Sequence, residues 1–268
     1  MKHCLKLKLY LAALLFCFFF TPCNADTRTF QKPCFPVTQD ERIWLQEFFR
    51  DLLFNNPGAY TLYGSKPISI AFYYHNSADR FKVNYEKWKA IKDRFSIRQY
   101  LFGEFPSKFV EGVDIVFFVN VESTLRMLLN NYADFRRVLG RDFDPFEAVF
   151  EVENPDSSFW RSVMQSHALL GILLGFGQDN AWFFEWKGEH GNEQSLLGRF
   201  VRSLPWGTSE RDDEEEHDPQ HFLLPVYTIY GQFPNDELLE QSKLEQEAII
   251  ALYKGRDEVD LALKWLTR

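Results

Sequence analysis

The chain has 268 residues, is 46% hydrophobic and 17% aromatic, and carries a formal net charge of −8. That composition excludes a disordered polymer, because 28 phenylalanines supply ample apolar area for a core. The acidic balance argues against nucleic acid and against direct docking on anionic lipid.

The N-terminal residues read as an export signal. Lys2, His3, Lys6 and Lys8 form a basic start, and Leu9 to Phe20 is an unbroken apolar run of 12 residues. Thr21-Pro22-Cys23-Asn24-Ala25 follows, so cleavage is expected after Ala25. The run falls short of the roughly 20 residues needed to span a bilayer. Loss of residues 1–25 removes three lysines and no acid, taking the net charge to −11 over 243 residues. Only Cys34 then remains, which rules out an intramolecular disulfide. A competing reading makes Cys23 a lipid-bearing cysteine, although Pro22 and Phe20 fit a lipobox poorly. No Asn-x-Ser/Thr sequon occurs, which fits a bacterial secretory origin. The expected location is therefore the periplasm or the outside, with tethering to the outer membrane only through Cys23.

Residues 26–38 are an extended leader containing Pro33 and Pro36. Thr38-Gln39-Asp40-Glu41 has the form of a capping box, and Ile43, Trp44, Phe48 and Leu52 recur at helical spacing behind it. A helix is expected over 39–54, stopped by Asn55-Asn56-Pro57-Gly58. Residues 60–63 and 67–74 read as strands around a turn at Gly64-Ser65. Residues 84–95 form a basic amphipathic helix, and 113–119 (Val-Asp-Ile-Val-Phe-Phe-Val) is the best candidate for a central strand. Leu125 to Leu139 reads as a helix broken near Asn130-Asn131 and ended by Gly140. Asp144 caps a helix with Pro145 at its first position, running to about Val152. Residues 157–174 form a strongly apolar helix with Phe159, Val163, His167, Leu170 and Leu174 on one face. Gly171-x-x-x-Gly175 on it suggests close helix packing. Asp179 to Trp186 adds a turn or two. Residues 188–220 read as a loop whose acidic run, 209–218, is expected to be disordered. Phe222 to Tyr230 is an edge strand, since Pro225 cannot donate to a ladder. Two helices, 234–254 and 257–266, close the chain around Gly255. The sum is one α+β domain over 39–268, mostly helical, around a small sheet of three to five strands.

The candidate sites are few. His167 sits in an apolar stretch, where a buried imidazole is more often a satisfied core group than a catalyst. Glu185, Glu189 and His190 lie near Trp182 and Trp186, a pattern compatible with a sugar cleft worked by carboxylates. His217-Asp218-Pro219-Gln220-His221 resembles the zinc-protease motif His-Glu-x-x-His. Aspartate replaces the catalytic glutamate there, and proline breaks the helix that would align His217 and His221. Loose cation binding by His217, Asp218, His221 and the neighbouring acids is the most this loop offers. Gly58 to Lys66 imitates a phosphate loop, but Ser65 separates glycine from lysine and the spacing is one residue too long. Asp142-Phe143-Asp144 is explained by the Asp144 cap. No motif calls for a cofactor, a nucleotide or a resident metal.

Residues 58–67 (Gly-Ala-Tyr-Thr-Leu-Tyr-Gly-Ser-Lys-Pro) and 167–182 (His-Ala-Leu-Leu-Gly-Ile-Leu-Leu-Gly-Phe-Gly-Gln-Asp-Asn-Ala-Trp) resemble a family of exported bacterial proteins with no assigned activity. The resemblance extends over most of the exported chain and implies no chemistry. The sequence thus favours a non-catalytic binding or interaction module of the bacterial envelope, with a protein or another envelope component as partner. Two alternatives stay open: a hydrolase of an envelope or host polymer using His167 or the Glu185–His190 region, and a lipoprotein tethered at Cys23.

Overall fold

The computed structural model describes residues 35–75, 79–107, 110–189, 201–203, 228–230 and 236–268. The segment read as an export signal, the residues after it up to Cys34, all four cysteines, His190 and the acidic run with His217, Asp218 and His221 lie outside the described residues.

The chain folds as an α+β domain, mostly helical, with a small antiparallel sheet. Helix α1 (Gln39–Arg50) opens on the expected capping box: Glu41 N–H donates to Thr38 Oγ1 at 3.2 Å, and Thr38 N–H donates to the Glu41 carboxylate at 2.9 Å. One π-helical turn, Asp51–Asn55, continues it to the predicted stop. A short helix α2 (Ala59–Leu62) follows where a strand was expected. Tyr60, Thr61 and Leu62 are all buried, so tertiary burial overrides the β preference of that aromatic and β-branched run.

Strand β1 (Ile68–Tyr74) leads to α3 (Arg80–Ile91) and the 3₁₀ turn Lys92–Arg94. Helix α3 starts four residues before the sequence expectation because Asp79 caps it, accepting from Lys82 N–H. Strand β2 (Tyr100–Pro106), which sequence reading passed over, pairs with β3 (Val113–Asn120). The order is β1-β3-β2, antiparallel throughout, with β3 central as expected.

Helices α4 (Val121–Asn130) and α5 (Tyr132–Leu139) break at Asn131, and Gly140 ends α5 at φ +66°. Helix α6 (Pro145–Phe150) begins at the Asp144 cap and runs into a 3₁₀ turn, Glu151–Glu153. The single helix expected over 157–174 is instead two, α7 (Ser158–Val163) and α8 (His167–Leu173). Ser157 caps α7 and Ser166 caps α8, so a second hydroxyl cap at the right spacing restarts the helix. Helix α9 (Gln178–Glu189) is a full element, longer than the expected turn or two. Residues 201–203 (β4) pair with 228–230 (β5), placing a strand inside a stretch read as loop. Helices α10 (Asp236–Tyr253) and α11 (Glu258–Leu266) close the chain around Gly255, as predicted.

Strand alternation divides the core. Val116 and Phe118 pack with α1, α3, α10 and α11 on one face, while Ile115, Phe117 and Val119 pack with α4 to α9 on the other. Trp88 anchors the first cluster, stacking on Phe48 and Phe95. Trp160 anchors the second, with its indole N–H donated to the Ala148 carbonyl at 2.8 Å. Gly171 fulfils the close-packing expectation, since a Cβ there would meet Ala181 Cβ at 2.9 Å. Gly175 has a different role: at φ +78° it reverses the chain after α8.

One buried charge stands out. Lys66 is 7% exposed, and its ammonium lies 5.5 Å from the Phe176 ring centre. Burial lowers its pKa from 10.5 to about 8. The folded state therefore binds fewer protons than the unfolded chain between about pH 8 and 10.5, and over that window this group adds stability as pH rises. The ceiling is roughly 3 kcal/mol. Lys66→Met should be more stable than the parent chain at pH 7 by urea unfolding. The gap should narrow as pH rises from 8 to 10.5, and a pH-independent gap would refute the assignment.

Candidate binding cleft

Each strand of the sheet carries one polar group on the α3 side near the same end. Asp114 and Val116 are two residues apart on β3, so they share a face. Tyr73 sits directly opposite Asp114, and Glu104 sits opposite Val116. The row Tyr73–Asp114–Glu104 thus continues, in polar form, the surface that packs Trp88 and Phe102. Helix α3 overhangs it with Tyr85, Lys89 and, just past its end, Lys92.

The fourth wall comes from the 3₁₀ turn Glu151–Glu153. That turn lies against β2 because residue 103 is glycine; a Cβ there would collide with the Val152 carbonyl oxygen. The close approach brings Glu153 and Pro155 to the α3 side. The result is a cleft of about 490 Å³, within the range of small-ligand sites.

Its charges are mostly committed. Glu104 accepts from the Tyr73 hydroxyl on one oxygen and from Lys89 on the other, at 2.8 Å. Lys89 also holds Glu86 at 2.7 Å and lies 5.1 Å from the Tyr85 ring centre. Burial opposes the charge on Lys89, yet Glu104 and Glu86 hold its pKa above the usual lysine range. Asp114 pairs with His75 at 2.9 Å. Burial, then Glu104 and Asp114, push the Tyr73 pKa up, so it stays a hydrogen-bond donor. Across the mouth, Lys92 meets Glu153 at 3.0 Å, with side chains 27% and 43% exposed.

Tyr85 differs from all of these. It is 1% exposed and lines the cleft, yet its hydroxyl has no hydrogen-bond partner among the described residues. Burial and the negative fields of Glu104, Glu86 and Glu153 raise its pKa and keep the hydroxyl protonated. A hydroxyl that lines a cleft and has no partner there is open to a hydrogen bond with a ligand.

The residues singled out from sequence lie elsewhere. His167 is exposed rather than set in an apolar face, because the chain restarts a helix at Ser166. Its ring meets Phe184 edge-on, 5.6 Å between centres. Glu185 accepts from Ser166 Oγ at 2.6 Å and from Ala168 N–H, extending the α8 cap. The structure brings His167 and Glu185 onto adjoining turns of α8 and α9, where Glu185 is committed to the Ser166 cap. Asp144 is the helix cap it was read as. Among the described residues no three His, Cys, Asp or Glu side chains converge as a metal set. The cleft residues escaped sequence reading, although one signal was present: Glu104 and Asp114 are lone acids inside otherwise apolar strands.

Comparison with protein-family models, with curated proteins and with solved structures returns no match to this chain.

Glu104→Gln keeps the shape and removes the charge that Lys89 and Tyr73 share. It should cost about 1–2 kcal/mol in urea unfolding, whereas Glu86→Gln, in a more exposed pair, should cost less than about 0.5 kcal/mol. Equal losses would show that the Glu104 interactions contribute no more than a surface pair.

Proposed function

We propose that this protein is a non-catalytic binding module exported to the bacterial envelope, and that the cleft beneath α3 takes a small polar envelope component. The observation that carries the reading is the Tyr85 hydroxyl, which lines the cleft and makes no hydrogen bond among the described residues, while the cleft's other polar groups are fixed by one another. Such an arrangement suits recognition. Glu104 spends its two oxygens on Tyr73 and Lys89, so it serves as a fixed dipole rather than as a proton acceptor for a substrate. Export rests on the sequence argument for residues 1–25, and the acidic surface suits a partner that is not polyanionic.

A hydrolase is the second reading. Its support is the His75–Asp114 pair at 2.9 Å, which borders the cleft through Asp114 and could orient an imidazole.

Ligand-detected NMR against amino acids, short peptides, amino sugars and glycerol phosphates tests the proposal. At least one class should show saturation transfer with the parent chain and lose it with Tyr85→Phe. That variant keeps every ring contact, so its thermal unfolding should match the parent. Absence of any Tyr85-dependent ligand would refute the binding reading, and turnover of a panel member abolished by His75→Ala would favour the hydrolase.

A further inference from the structure

The geometry points to a zwitterionic ligand for this cleft: an α-amino acid with an apolar side chain, free or at the end of a short peptide. The inference rests on the binding reading above and names its substrate class. Three of the four carboxylates around the cleft are tied up. Glu86 and Glu104 hold Lys89, and Asp114 holds His75. The remaining pair, Lys92 with Glu153, reaches across the mouth by a single contact of 3.0 Å, and neither side chain has a second ionic partner among the described residues.

An exposed ion pair of this kind is worth little, about 1 kcal/mol or less, so opening it is cheap. What replaces it must satisfy both halves. A ligand with one charge would neutralise Lys92 or Glu153 and orphan the other. A zwitterion converts one ion pair into two: its carboxylate takes Lys92 and its ammonium takes Glu153. The Tyr85 hydroxyl sits in the field of Glu104, Glu86 and Glu153, where it accepts readily from an ammonium N–H. Phe102, Phe105, Pro106 and Pro155 complete the lining, and they offer apolar contact rather than hydrogen bonds to the rest of the ligand. A sugar would find few free polar partners there, and a phosphate would face the surrounding carboxylates.

Titration calorimetry with L-leucine and Leu-Leu, alongside leucinamide and 4-methylpentanoate, tests the class directly. Leucinamide lacks the carboxylate, and 4-methylpentanoate lacks the ammonium. At least one of the two zwitterions should bind, with each single-charge analogue at least ten-fold weaker. Glu153→Gln and Lys92→Met should each weaken the zwitterion at least five-fold, while circular dichroism and thermal unfolding stay at parent values. Equal binding of the zwitterions and either analogue would overturn the inference. So would failure of both L-leucine and Leu-Leu. If the NMR panel still yields a Tyr85-dependent ligand of another class in that case, the binding reading survives and only the zwitterion assignment falls.

Discussion

Strand β3 has to be covered on both faces. Its residues 115 to 119 are Ile, Val, Phe, Phe and Val, all buried, and alternation sends them to opposite sides. A three-stranded antiparallel sheet usually covers one face and wets the other; this one cannot. The helices divide accordingly. Those from the two ends of the described chain, α1, α3, α10 and α11, close over Val116 and Phe118, while α4 to α9 close over Ile115, Phe117 and Val119. Arg42 binds Asp257 and Asp260 at 2.7 Å, and Arg50 binds Glu258 at 2.8 Å, which fastens α1 to α11 on the first side.

The cleft arises where that coverage ends. Beyond Val116 the α3-facing side of the sheet turns polar, with Asp114, Tyr73 and Glu104 in one row. These groups cannot sit unpaired beneath a helix, and they are paired: tyrosine to glutamate, glutamate to lysine, aspartate to histidine. The mutual pairing fixes the walls without filling the space between them. Gly103 then decides the depth. By admitting the Val152 carbonyl against β2, it carries Glu153 round the sheet edge to face Lys92. Tyr85 is the residue left over, with an aromatic body anchored between Phe48 and Phe81 and a hydroxyl that no described residue engages.

The legible parts of the sequence were those in which one local signal decides. Thr38–Glu41 and Asp144-Pro145 cap their helices as read, and Gly140 and Gly255 adopt left-handed conformations at the predicted ends. The central strand followed from its β-branched and aromatic run. Residues 60–62 have strand-like chemistry but lie in a helical turn, because burial decides there. Ser166 is a cap inside an apolar stretch, and periodicity alone ran a single helix through it. That error carried His167 onto a buried face it does not occupy. Glu185 looked available for chemistry because its partner, the start of α8, was not recognised as a helix start. The cleft was illegible for a further reason: its groups come from three strands, α3 and a 3₁₀ turn, and Glu104 lies on a strand that pattern reading missed. Only the register between strands places it beside Tyr73 and Asp114.

Native-state hydrogen exchange of the full chain tests the central claim, that a doubly covered β3 holds the fold together. The amides of Val116 to Val119 should exchange only through global unfolding, with opening free energies equal to the stability measured by urea, because both flanking clusters must separate before they are reached. Exchange of these amides through a lower-energy local opening, while either helical layer stays protected, would show that the layers stand independently of the strand and contradict the account.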